Sequence, residues 1–348
     1  MSDRRRSIWV GVAVSVALLL LSLSAAWSLG GRPPESLSRL LTWILARPGT
    51  ERVSGYYTLV DEAGNILLET ARVVAPGDLF IDPAGVWHRV TRVTRDTAET
   101  VTVPPGVSLP QGFSSLAGSR VWAGAALSRG RALRPAHDLA VPLGTARQVI
   151  VIYHTHSDES YVPTDGVSSI PGNGGIYDVG EALSAGLTTA GFTVVHDRTA
   201  HDPHDAGAYP RSRRTVLRNL RFGPTLLFDV HRDAAPPAAY LTTIDGVHTA
   251  RVLIVVGGAN PMVSANLGTA RRLKAVAEDL YPGLTRGILV ARGNYNQDLD
   301  PGAILLEMGT ELIPKEAAVR AAGLWANVVA ASLGPPAPDT TPPGAGER

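Results

Sequence analysis

The distribution of apolar and polar positions divides the chain into distinct textures. Ile8 to Leu29 is an uncharged apolar run. As a helix it would rise about 33 Å, enough to cross a hydrocarbon core of about 30 Å. Trp9 and Trp27 lie near its ends, where indoles favour the membrane interface. Arg4, Arg5 and Arg6 precede it, so the pattern predicts a single-pass anchor over 1–30, with a cytoplasmic N-terminus and the rest of the chain extracytoplasmic. A cleaved signal peptide, with Ser24-Ala25-Ala26 as the cleavage site, is the alternative, although the run exceeds a usual signal core of about 7–15 residues. Residues 31–52 carry Leu37, Leu40, Leu41, Ile44 and Leu45 at helical spacing, which predicts a juxtamembrane helix and linker stopped by Pro48-Gly49.

Over 53–103, β-branched and aromatic residues dominate Tyr56–Val60, Ile66–Val74, Asp78–Ile81 and Val86–Val103. Turns at Ala63-Gly64-Asn65, Pro76-Gly77 and Pro83-Ala84-Gly85 separate them. This predicts a small antiparallel β module, in which His88 is an ordinary strand residue. Residues 104–146, rich in Pro, Gly, Ser and Arg, read as a linker. From 147 to 334 strands alternate with helices. Strands are expected at Gln148–Tyr153, Phe192–His196, Thr225–Val230, Ala250–Val256, Gly287–Val290 and Ala303–Glu307. Helices are expected at Ile176–Gly191, Arg211–Leu220, Met262–Leu280 and Lys315–Ser332. Continuous apolar strands such as QVIVIY suit a sheet covered on both faces, so the fold class is α/β, a mostly parallel sheet flanked by helices. The Pro-rich tail over 335–348 is expected to be disordered.

Composition narrows the chemistry. With Lys+Arg 32 against Asp+Glu 31, the chain has no general affinity for polyanions, and nucleic acid is excluded as its partner. Cys is absent, so any metal must be held by His, Asp and Glu.

Three strands end in ionisable residues, and in open α/β sheets sites gather at strand carboxyl ends. The first opens into Tyr153-His154-Thr155-His156-Ser157-Asp158-Glu159-Ser160-Tyr161, the third into Asp229-Val230-His231-Arg232-Asp233, and the last into Glu307. His156 and Glu159, spaced HxxE, together with His231 make a His₂Glu set of the kind that binds catalytic zinc. Glu307, closing an apolar strand, is the candidate proton shuttle, and the reaction class is metal-assisted amide hydrolysis. HxxE alone is a weak signal; the coincidence of three strand ends is what strengthens it.

The same residues resemble stage II sporulation protein P, a family of membrane-anchored N-acetylmuramoyl-L-alanine amidases of endospore-forming bacteria. The likeness rests on YHTHSDESY at 153–161 and DVHRDA at 229–234. It extends to YNQDL at Tyr295–Leu299, PGL at Pro282–Leu284, VHDRTAHD at Val195–Asp202, AYPRSRRTV at Ala208–Val216 and VVGGANP at Val255–Pro261. It spans about 148–330. The resemblance implies a Zn2+-dependent peptidoglycan hydrolase that cleaves the amide between N-acetylmuramic acid and L-alanine and also cuts peptide cross-links. It further implies a role in sporulation, during engulfment, in a cell-membrane complex with stage II sporulation proteins D and M.

Laid on the broader zinc amidases, the first and second His fall on His156 and His231 and the late Glu on Glu307. Those amidases place the Glu ligand further downstream, where this chain offers Asp178 and Glu181; Glu159 belongs to the family's own HTHxxESY block. They also carry an Asn after the late Glu, where this chain reads Met308-Gly309-Thr310-Glu311, which puts substrate contacts there in doubt. Glu311 is a second choice for the shuttle.

Several assignments stay open. His154 competes with His156, because strand alternation points both the same way. Asp229 and Asp233 either hold a ligand imidazole or Arg232, or are turn residues. Tyr295, Asn296 and Gln297 either line a substrate groove or pack their loop. His196, His201 and His204 either bind a second ion or cap a loop. A stem-peptide endopeptidase or carboxypeptidase, for which Arg232 would supply the cation, and a non-catalytic membrane scaffold are the alternative functions.

Overall fold

The computed structural model describes residues 51–105 and 148–334, apart from 53 and 206. The apolar run at 8–29, the helix expected around 37–45, most of the 104–146 linker and the 335–348 tail lie outside the described residues. Among those described, no helix is long and apolar enough to cross a membrane.

Continuous apolar runs become strands buried on both faces. β1 to β5 are Tyr57–Val60, Ile66–Thr70, Leu79–Ile81, Trp87–Thr94 and Thr97–Val103. β6 is Val149–Tyr153, β7 Thr193–His196 and β8 Leu226–Asp233. β9 and β10 are Leu241–Ile244 and Val247–Ala250. β11, β12 and β13 are Val252–Gly257, Thr285–Ala291 and Ala303–Thr310. Every residue of β8, β11, β12 and β13 is buried, as expected where helices cover both sheet faces. The main helices are α1, Ile176–Thr189; α2, Ala208–Asn219; α3, Val263–Leu280; and α4, Lys315–Leu333. The fold is a mixed α/β one.

Eleven strands form one sheet in the order β2-β1-β5-β4-β3-β12-β11-β13-β8-β6-β7. β13, β8, β6 and β7 run parallel, so their carboxyl ends share one edge, whereas β11 and β12 run the other way. The strands of 57–103 join this sheet through an antiparallel pairing of β3 with β12, Phe80 facing Leu289. The N-terminal strands and the C-terminal α/β part are therefore continuous through their backbone hydrogen bonds.

Two differences from the sequence expectation are turn effects. The stretch Val86–Val103 is two strands, because Arg95 takes a left-handed φ of 54° and reverses the chain. The β9–β10 hairpin, unforeseen, turns on Asp245-Gly246, both at positive φ, the pair that type I′ turns favour. Close packing of α1 on α4 depends on Gly186, where a Cβ would lie 2.7 Å from that of Ala326.

A buried acid sits at the turn into β3. Asp78 is fully buried; its Oδ2 accepts the Ala75 N–H at 2.8 Å, while Oδ1 has no hydrogen-bond partner among the described residues and lies 3.8 Å from Arg292 Nε. Burial pushes its pKa up to about 7. An unfolded Asp ionises near pH 4, so unfolding releases a proton between these values and stability falls as pH rises through them. Asp78→Asn keeps an acceptor for Ala75. It is expected to exceed the wild type in stability at pH 8 by up to a few kcal/mol, at about 1.4 kcal/mol per pKa unit, and to match it below pH 4. Thermal melts at both values check this; a difference independent of pH would refute it.

Candidate metal centre

Parallel pairing of β13 with β8 sets Glu307 directly opposite His231. β6 lies on the other side of β8 and opens at Tyr153 into the 154–161 turn, which carries His156 and Glu159 to the same edge. The loop back to α1 is held against this turn by Ile170 N–H to Asp158 O at 2.7 Å and Gly174 N–H to Ser157 O at 3.1 Å. Only glycine fits at 174, since a Cβ there would lie 2.4 Å from the Glu159 carbonyl oxygen.

Glu159 Oε1 lies 3.2 Å from His156 Nδ1 and 3.1 Å from His231 Nδ1. A fourth donor, unforeseen from the sequence, is Glu51, whose Oε1 lies 3.5 Å from His156 Nδ1. The donor atoms of Glu51, His156, Glu159 and His231 all fall within 4.8 Å of one another. Tetrahedral donors bound at about 2.0 Å lie about 3.3 Å apart, so these spacings fit a metal cation. Oε2 of Glu307, fully buried beside them, has no hydrogen-bond partner among the described residues.

The supporting contacts fix each group. Asp229 Oδ1 lies 3.0 Å from His231 Nε2, leaving Nδ1 toward the donor cluster, and Thr155 holds Asp229 through its N–H at 2.8 Å and its hydroxyl at 2.7 Å. Such a carboxylate orients a metal-binding imidazole. The Arg232 N–H donates to Glu159 Oε2 at 2.9 Å. His204 stacks on His156 at 3.8 Å between ring centroids and is held by Asp158, 3.1 Å from its Nδ1.

The charges respond to these neighbours. Burial opposes the imidazolium of His231, but Asp229 and Glu159 hold its pKa well above the usual value. Burial would raise Glu159, yet His231 and His156 keep it well below the carboxylate range. Partial burial likewise disfavours the His204 cation, and Asp158 with Glu51 raises it to about 10. Burial raises Glu307, against the pull of the Arg72 guanidinium. Arg72 Nε contacts Glu307 Oε1, Nη2 lies 2.7 Å from Glu51, and Nη1 donates to Tyr209 OH at 3.0 Å. Two buried carboxylates and a tyrosine hydroxyl thus share one guanidinium.

Other sequence candidates take different places. His154 leaves the cluster: its Nδ1 lies 2.8 Å from Val230 O and its Nε2 2.9 Å from His196 Nε2, beneath Gly180 of α1. Strand alternation could not separate it from His156, because β6 ends at Tyr153 and the turn sends the two residues apart. Asp178 and Glu181 are exposed on α1, paired with Lys315 and His196. Asp233 neither holds a ligand nor Arg232; it accepts the Ala71 N–H at 2.8 Å and the Tyr240 hydroxyl at 2.8 Å. Arg232 is spent on Ser160 O, Ser168 O and Glu311. Asn296 and Gln297 are buried, bonding Ser212, Gly257 and Val255, and so pack their loop. Tyr295 sits edge-on to Tyr209 with Arg72 over its ring. His196, His201 and His204 have separate partners, His201 bridging His154 O and Thr215. Glu51 and Arg72 carried no local signal beyond Arg72 lying in an apolar stretch.

The family profile of stage II sporulation protein P matches residues 124–330. A stage II sporulation protein P of Bacillus subtilis (strain 168) is 31% identical over 182 residues, covering 47% of this chain and 45% of that protein, so the chain matches less than half of that relative's length. Among solved structures, an N-acetylmuramoyl-L-alanine amidase from Clostridium difficile 630 superposes with a TM-score of 0.35 and 13% identity over 54% of this chain and 95% of its own. A metallo-carboxypeptidase from Burkholderia cenocepacia gives 0.33 and 11% over 74% and 80%. With the profile covering more than half of its length, the chain belongs to the stage II sporulation protein P family.

Proposed function

We propose that this protein is a zinc-dependent peptidoglycan hydrolase that cleaves the amide between N-acetylmuramic acid and L-alanine during engulfment. The observation that carries this reading is Glu307, a buried carboxylate with a free oxygen, set against a His, Glu and His donor cluster in a chain of this family. His156, Glu159 and His231 would hold the metal. When bound, zinc polarises an amide carbonyl and brings the pKa of water to about 7. Glu307 takes the proton of the attacking water as its oxygen bonds to the carbonyl carbon. It then delivers that proton to the nitrogen as the carbon–nitrogen bond breaks, releasing a carboxylic acid and the amine of L-alanine, and transfer of the acid proton to the amine leaves carboxylate and ammonium. Asp229 keeps the His231 ring oriented throughout.

The 8–29 run would anchor the protein in the cell membrane with its catalytic part outside, where proteins D and M of the same sporulation stage would be its partners. A carboxypeptidase needs a cation free to bind a terminal carboxylate; the engagement of Arg232 with backbone carbonyls and Glu311 favours the amidase instead.

Glu307→Gln is expected to retain metal and lose hydrolysis by about 10²–10⁴-fold, while His231→Ala loses both metal and hydrolysis. The measurements are metal content and mass spectrometry of purified peptidoglycan after digestion. A fully active Glu307→Gln would refute the shuttle. Separately, a chelator should abolish release of peptides with a free L-alanine N-terminus, and added zinc should restore it. New ends confined to the stem peptide would mean an endopeptidase.

A further inference from the structure

Two positions that amide hydrolysis needs are filled by the chain itself. Glu51 places a carboxylate among the donors, and Arg72 places a cation on Glu307. Hydrolysis of an amide leaves the same pair, a carboxylate at the metal and an ammonium beside the proton shuttle. Glu51 and Arg72 thus stand where the two products would stand. They also seal the site: the side chain of Glu51 is 7% exposed, that of His156 3%, and those of Glu159, His231 and Glu307 are wholly buried. A glycan–peptide strand cannot reach these atoms in this arrangement.

The two residues are held very differently. Arg72 lies two residues beyond β2, and its neighbour Ala71 is tied to Asp233, while Arg286 donates to Glu69 O at 2.7 Å. Glu51 belongs to no strand. It meets Arg72 in an isolated bridge, supported by the Arg52 N–H to Ala71 O at 2.9 Å. Among the described residues its remaining attachments are ionic, to Arg72 at 2.7 Å, to His156 at 3.5 Å and to His204 at 3.6 Å, and buried ion pairs roughly balance their own desolvation. Resting on the metal-centre reading above, we propose that Glu51 is a removable plug, a product-like fourth ligand that keeps the centre closed until the segment bearing it is displaced.

The test uses the full chain loaded with Co2+, comparing wild type with Glu51→Gln and Glu51→Ala. The readouts are the visible cobalt spectrum and a titration with acetohydroxamate, a small metal-binding probe, followed by peptidoglycan digestion. Removing a plug that closes more than nine-tenths of the molecules raises the apparent affinity of the probe about tenfold or more. The cobalt spectrum of both variants should differ from wild type before any probe is added. Unchanged or weaker probe binding in both variants, with cobalt retained, overturns the plug, and so does global unfolding of both. A chain that takes up no cobalt in any form overturns the metal centre and the plug together. Tighter probe binding without peptidoglycan products leaves the plug standing and removes the amidase reading.

Discussion

The site depends on the register of β13 against β8. These parallel strands place Glu307 opposite His231 and Leu305 opposite Asp229, so the proposed shuttle, the proposed ligand and the carboxylate beside it are fixed by one set of backbone hydrogen bonds. A slip of one residue would turn His231 and Asp229 to the other face together. The register is locked by burial, since every residue of both strands is buried. The ladder is interrupted beyond Glu307, where Gly309 takes a φ of 82° that releases Thr310 to bond Ala235. Sheet pairing thus sets His231 and Glu307 of the candidate centre, and His156, Glu159 and Glu51 come from outside the strands.

Burial then sets the electrostatic problem. An isolated carboxylate in such a place would hold its proton and an isolated imidazole would lose its own. Here Glu159 sits between two imidazoles and a backbone N–H, and His231 sits between two carboxylates. Each group keeps its neighbour in the charged state, which is why the directions of their shifts oppose what burial alone would produce. The carboxylates are thus balanced by imidazolium and by Arg72, and a metal cation binding at His231 would displace its proton.

How far the sequence reveals this follows from what local pattern can encode. His231 and Glu307 were visible because each follows a largely apolar run, where a charge must face a partner, although β8 and β13 continue past them to Asp233 and Thr310. His156 could not be told from His154, since alternation holds only while the chain is a strand, and β6 stops at Tyr153. Asp233 was visible as a strand-end acid, but its role in holding Ala71 depends on a residue 162 positions away. Glu51 was read as linker because nothing around it is periodic. The β9–β10 hairpin was marked only by Asp245-Gly246, without the alternation that usually accompanies such turns. What escaped was long-range: contacts made by the N-terminal strands once β3 pairs with β12.

That pairing also decides how the centre can open. Because the strands of 57–103 continue the same sheet, withdrawing Arg72 from Glu307 would mean dismantling its attachment at Asp233 and the β2 end. Among the described residues, withdrawing Glu51 breaks one bridge and its ion pairs. Opening is therefore local to the residues before β1. Arg72, left in place, would turn the Nη2 it shares with Glu51 toward whatever replaces that carboxylate. A substrate entering the vacated position meets a cation already fixed by Tyr209 and Glu307, so the residue that helps close the centre also shapes what it can next accept.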